Sequence, residues 1–133
     1  MVDSERTRRR VVAAPARRPA VRLQAIRVIF DQDEDADASY LDQDEFEDRR
    51  DEYRRGEFSF VSARAEADVN IEGILQTLQS GGLNGIESDS EEEYLTEIAA
   101  EEWKTLRGVL KTVGVPTSEL PLEVDPGWVE WRT

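Results

Sequence analysis

Residues 81–114, GGLNGIESDSEEEYLTEIAAEEWKTLRGVLKTVG, hold the one long segment of helical periodicity, and its apolar stripe obliges the rest of the chain to supply a surface that buries it. Leu95, Ile98, Ala99, Trp103, Leu106, Val109, Leu110 and Val113 recur at three- and four-residue steps, which sets them on one side of a helix. Ser90 and Glu93 have the spacing of a capping box, with Ser88 and Asp89 as further N-cap candidates. Glu91, Glu92 and Glu93 crowd the first turn, and Lys104, Arg107 and Lys111 come later, the sense that the helix dipole favours. Gly114 supplies a left-handed terminator and Pro116 prevents resumption. Gly108, inside the helix, costs about 1 kcal/mol relative to alanine. Either a neighbour packs very close there or the helix is locally weak. At about 1.5–3 kcal/mol for each large side chain fully buried, this stripe is the largest single source of core stability in the sequence.

A chain of 133 residues is long enough for one domain with one core. It has no cysteine and no histidine. Disulfides, thiolate nucleophiles, zinc–thiolate sites, the usual general base and the serine and cysteine triads are therefore all excluded. There is no P-loop and no dinucleotide-binding glycine pattern. Only carboxylates, Tyr, Lys or Ser remain for proton transfer or attack, so enzyme is the weakest class, and neither cofactor nor metal is expected. No apolar run approaches the roughly 18–20 residues that span a bilayer. The Arg-rich start lacks the apolar core of a secretory signal. A cytoplasmic location is the expectation.

Residues 1–19 are Arg, Ala and Pro without periodicity and read as a basic, disordered leader; the alternative is a basic arm that touches nucleic acid or folds back on the acidic body. Residues 21–30 read as a strand. Val21, Leu23 and Ala25 share one phase and Ile26, Val28 and Phe30 the other, so a bulge near Ala25 or burial on both sides is expected. An acidic loop follows. Asp31, Asp33, Asp35, Ser39 and Asp42 overlay the ligand positions of a calcium loop, but Ala36 stands where the sharp turn needs glycine, Ala38 where a larger apolar residue belongs, and Asp42 where the longer glutamate belongs. A solvated acidic loop is the better reading. Asp37 or Ser39 can cap a second, surface helix through Arg55, ended by Gly56. Val61, Ala63, Ala65, Ala67 and Val69 then alternate with Ser62, Arg64, Glu66 and Asp68, a strand with one wet face whose alanines let a helix approach closely. Residues 74–78 form a third strand or a helical turn, and 83–87 a short fourth strand. The tail over 115–133 carries Trp128 and Trp131, either packed on the core or held out as an exposed apolar anchor; packing is the favoured reading.

The expected architecture is α+β: a small three- to four-stranded, mainly antiparallel sheet over residues 20–114 with two helices packed on one face, and the tail of 115–133 laid against it.

Over residues 53–110 the chain resembles a group of short acidic proteins encoded by phages, plasmids and integrated elements. The shared pattern runs from YRRGEFSFVSARAEADV through LQTLQSGGLNGIESDSEEEYL into the Glu-rich helix with its leucines. In that group the turn usually reads GGLWGIESDS; here Asn84 stands in place of the tryptophan. The resemblance carries no activity with it. It implies a mobile-element context, in which small acidic proteins often oppose host defence.

Of the net charge of −13, residues 1–22 contribute +5 (seven arginines against Asp3 and Glu5), which leaves −18 on residues 23–133. Such a body does not bind nucleic acid or an anionic membrane directly and favours basic partners. Two stretches concentrate the charge. Residues 31–48 hold Asp31, Asp33, Glu34, Asp35, Asp37, Asp42, Asp44, Glu45, Glu47 and Asp48 with no basic residue, and residues 87–102 include Glu87, Asp89, Glu91, Glu92, Glu93 and Glu97, again with none. Were the first stretch helical, its ten charges would span about 27 Å, one per roughly 2.7 Å against about 1.7 Å along duplex DNA. The expected function is therefore a non-enzymatic, DNA-mimic-like inhibitor of a basic, nucleic-acid-binding host protein. The alternative is a general interaction or accessory domain whose acidity serves solubility or salt adaptation. Self-association as a homodimer, through the tryptophans or an unpaired sheet edge, is compatible with either.

Overall fold

The strict alternation in the middle of the chain builds the central strand of the molecule. The computed structural model describes residues 20–133; the leader expected over 1–19 lies outside the described residues. Strand β2 (Phe60–Ile71) turns Val61, Ala63, Ala65, Ala67 and Val69 to one side, all of them fully buried. It is flanked along its length by antiparallel β1 (Val21–Gln32). Its other edge is shared by two shorter antiparallel strands, β3 (Ile74–Gln79) along residues 66–71 and β4 (Leu83–Glu87) along residues 60–63. β1 and β2 keep register except at one irregularity between Leu23 and Ala25, which brings Val21, Leu23, Ile26, Val28 and Phe30 into one phase. Ile29, of opposite parity, is also fully buried, so the end of β1 is enclosed on both sides.

The sheet has five strands rather than three or four, and it is mixed. The tail returns as β5 (Val129–Arg132), which pairs parallel with β1 on the edge away from β2. This fifth strand escaped the periodicity argument because four residues are too few to show alternation.

Helix α2 (Glu92–Val113) lies across the face made by Val28, Phe30 and the β2 alanines. Ile98, Ala99, Trp103, Leu106 and Leu110 are buried and Leu95 is partly so, whereas Val109 and Val113 sit on the flank, exposed by more than a third. Gly114 ends the helix at φ +104° and donates back to Leu110 and Lys111. The capping box does not form: Glu91 occupies the N-cap position without a side-chain bond, and the Ser90 hydroxyl donates instead to the Glu87 carbonyl at 2.6 Å. The tight turn out of β4 takes the hydroxyl first. Behind α2, Trp103 Nε1 and Arg107 donate to the carbonyls of Leu120 and Pro121, which fastens the tail before it reaches β5.

The second helix is shorter than its composition suggests and does not share the face of α2. Residues 39–54 form two single turns, Ser39–Asp42 and Asp44–Phe46, before α1 (Glu47–Arg54). Gln43 is extended between the turns and interrupts the helix. Leu41 is buried with Phe58 and Phe60 in a separate small cluster, joined by Tyr40 and Phe46. Phe60 has the parity opposite to Val61, so this cluster sits on the other face of the sheet. Two helices on one face is thus corrected to one helix on each. Among the described residues no helix is long and apolar enough to cross a membrane.

Candidate functional site

The two acidic stretches, forty residues apart in sequence, meet around β4. Asp33 leaves β1 and accepts the Gly85 amide at 2.8 Å. The Tyr40 hydroxyl donates to Glu87, and burial followed by that bond pushes the phenol well above its ordinary range. Arg49, in the first turn of α1, ties the remainder. Its guanidinium bonds Asp89 at 2.5 and 2.9 Å, Glu87 at 3.1 Å and Glu52 at 2.6 Å. It also lies 3.7 Å from the centre of the Phe58 ring, so its cationic plane is held on one side by an aromatic face and on its edges by three carboxylates. Leu41, Phe58 and Phe60 fix the segment beneath it. The result is that the segment over residues 33–49 is tied to Gly85, Glu87 and Asp89, which brings the first acidic stretch against the beginning of the second.

This arrangement sorts the acidic residues into two sets. Asp31, Asp33, Asp37, Glu87 and Asp89 are used inside the protein. Asp31 is 3.5 Å from Arg64, and Asp37 accepts from the Ser39 amide, which holds its carboxyl below the ordinary range, although the N-cap position of that turn is Ala38. Asp89 is likewise held low, by its bonds to Arg49. Glu34, Asp35, Asp42, Asp44, Glu45, Glu47, Asp48, Glu91, Glu92, Glu93 and Glu97 are exposed, and their side chains make no salt bridge or hydrogen bond among the described residues. These eleven are the outward-facing members of the sixteen named in the two stretches. Because the stretch before Glu47 is strand end, loop and single turns, its charges are not strung at the helical spacing of about 2.7 Å. The calcium-loop overlay also dissolves: Asp31 and Asp33 are committed to Arg64 and Gly85, and no group of three or more potential ligands converges among the described residues.

The polar face of β2 is not simply wet. Arg27 on β1 reaches Glu66 at 2.9 Å and Asp68 at 2.9 and 3.0 Å, and Arg64 reaches Glu66 at 2.6 Å. Burial alone would raise Glu66, but the bonds from Arg64 and Arg27 outweigh it and hold the carboxyl low. Asp68, bonded to Arg27 and Thr77, is lowered to about 2. Strict alternation of charged residues signals such a cross-strand network once the β1–β2 register is known, and not before.

The tryptophans divide as well. Trp128 meets Trp103 edge-on at 5.3 Å and completes the core. Trp131 stacks on Phe30 at 4.5 Å yet stays 44% exposed. Together with Leu95, Ala99 and Val124 it lines an apolar groove of about 590 Å³ between the first half of α2 and the tail, at whose mouth Leu122 is 79% exposed. Sequence reasoning missed this groove, because it exists only where the tail crosses back over α2; the spaced prolines of PLEVDPGW are the only hint of that crossing. Asn84 lies exposed in β4, where no packing depends on it.

No protein-family model, no curated protein and no solved structure matches the chain.

Proposed function

We propose that the protein is a non-enzymatic binder that occupies the nucleic-acid site of a basic host protein, as expected of an acidic product of a mobile element. The observation that carries this reading is the meeting of the two acidic stretches at β4, which between them hold eleven exposed carboxylates. A scaffold of this kind holds its charges in place before binding. The partner then loses no free energy in ordering them, and displaced counterions drive association as they do for DNA itself. Arg49 supports the reading in an indirect way. By neutralising Glu87 and Asp89 from within, it lets acidic segments approach one another that would otherwise repel.

The test is capture of partners from host lysate by the tagged protein and by a variant carrying Asp42→Asn, Asp44→Asn, Glu45→Gln, Glu91→Gln and Glu92→Gln. The expected result is a basic, nucleic-acid-binding protein retained at low salt, lost at high salt and lost with the variant. Capture that is indifferent to both changes would sink the proposal. That outcome would favour a second reading, a general interaction module, whose supporting observation is the apolar groove beside Trp131 and Leu122.

A further inference from the structure

β5 is the last strand of the sheet, hydrogen-bonded to β1 on one side only among the described residues. An edge strand of this kind presents unpaired amides and carbonyls to any second strand. Its four residues have a particular chemistry. Trp131 stacks on Phe30, so Val129 and Trp131 face the α2 side, while Glu130 and Arg132 face the other side and are bonded to each other at 2.9 Å. Both members of that pair are about half exposed.

We propose that a second copy of this chain pairs antiparallel along the free edge of β5, with Trp131 at the two-fold axis and Glu130 of each copy opposite Arg132 of the other. An antiparallel two-fold pairing keeps α2 of both copies on the same side of the joined sheet, so directly opposed residues must share a face. Only registers that set like parity against like parity remain. One of them opposes Glu130 to its own copy, and another opposes Arg132 to its own copy; both set like charges together. The register centred on Trp131 instead creates two Glu130–Arg132 pairs and lays the two Trp131 rings side by side. Of the four registers centred on a β5 residue, charge rejects those two, and the one centred on Val129 sets Glu130 opposite Trp128 and gains no ion pair, so the register centred on Trp131 is the one that charge favours. In that register the exposed face of Trp131 and the neighbouring mouth of the apolar groove, with Leu122, are covered by the second copy. The interface is small and of the transient class. The net negative charge opposes it, so added salt strengthens it.

Sedimentation velocity of the full chain, over a concentration series at low and at moderate salt, tests the proposal together with two single variants, Glu130→Arg and Arg132→Glu. Both positions are solvent-facing, and circular dichroism confirms that each variant is folded. The expected result is a concentration-dependent dimer, stronger at moderate salt, that each variant weakens by about tenfold. Mixing the two variants restores a heterodimer, since one then presents only arginines at these positions and the other only glutamates. A chain that stays monomeric at every concentration overturns the proposal. So does a dimer that neither variant weakens, or variants whose mixture stays apart. Partner capture through the acidic surface is read in a separate experiment, so failure of either idea leaves the other standing.

Discussion

Arg49 shows how much one side chain can organise. It joins α1 to the turn between β4 and α2 and covers Phe58, and its side chain is about a quarter exposed. Arg49→Ala removes three charge-assisted partners at once and leaves Glu87 and Asp89 facing each other. The expected cost is about 1–3 kcal/mol, read as a lower urea midpoint. Arg49→Lys keeps the charge but not the planar fork, and should recover only part of it. Asp68 makes a pH argument. Its carboxyl is lowered from an ordinary 3.8 to about 2 by Arg27 and Thr77, so its contribution is fully present above about pH 4 and drains away as the pH falls through 2. Glu66 and Asp89 shift in the same direction. Thermal melts should therefore drop between about pH 4 and 2, and Asp68→Asn should start lower at neutral pH and lose less on acidification.

Among the elements, α2 was the most legible and α1 the least. A stripe of eight apolar residues over a long run outvotes local ambiguity, so the position, buried face and Gly114 terminator of α2 could be read from sequence. The flank was not readable, because Val109 and Val113 fit the step pattern equally well and only the width of the alanine-lined floor decides what is covered. The start of α2 was misread for a comparable reason: the capping box needs Ser90 as the N-cap residue with its hydroxyl oxygen accepting a helix amide, whereas the chain direction out of β4 puts Glu91 at the N-cap and turns the Ser90 hydroxyl to donate to the Glu87 carbonyl. For α1, acidic-then-basic ordering promised a long helix, but Leu41 and Tyr40 are pulled toward Phe60 and Glu87, and Gln43 extends to allow it. The open question at Gly108 is now resolved. A Cβ there meets nothing within 4 Å, so the glycine marks a weak point and not a close approach. Gly108→Ala should stabilise the domain by about 0.5–1 kcal/mol, measured by chemical denaturation. Leu106→Ala, at a fully buried position, should cost about 2–5 kcal/mol in the same assay.

For the molecule as a whole, the acidic surface was legible as composition but not as a place. Residue counts located two stretches; only the β1–β2–β4 pairing shows that they abut, and only Arg49 and Tyr40 show which carboxylates are already spent. With a net charge of −13, the folded chain should melt higher at about 0.5 M than at about 0.05 M salt, and the charge-reduced variant should show a smaller rise. Outright unfolding near about 0.15 M salt would instead assign the acidity to salt adaptation. The parallel pairing of β5 has a consequence in time. β1 is made early and β5 about a hundred residues later, so the edge of β1 along Val28–Asp31 stays unpaired until the tail arrives. At about 5–20 residues per second, a growing chain carries this bare apolar edge for several seconds. During that interval the like charges crowded just after β1 oppose such encounters, because neighbouring nascent copies must bring these segments together before their edges can meet.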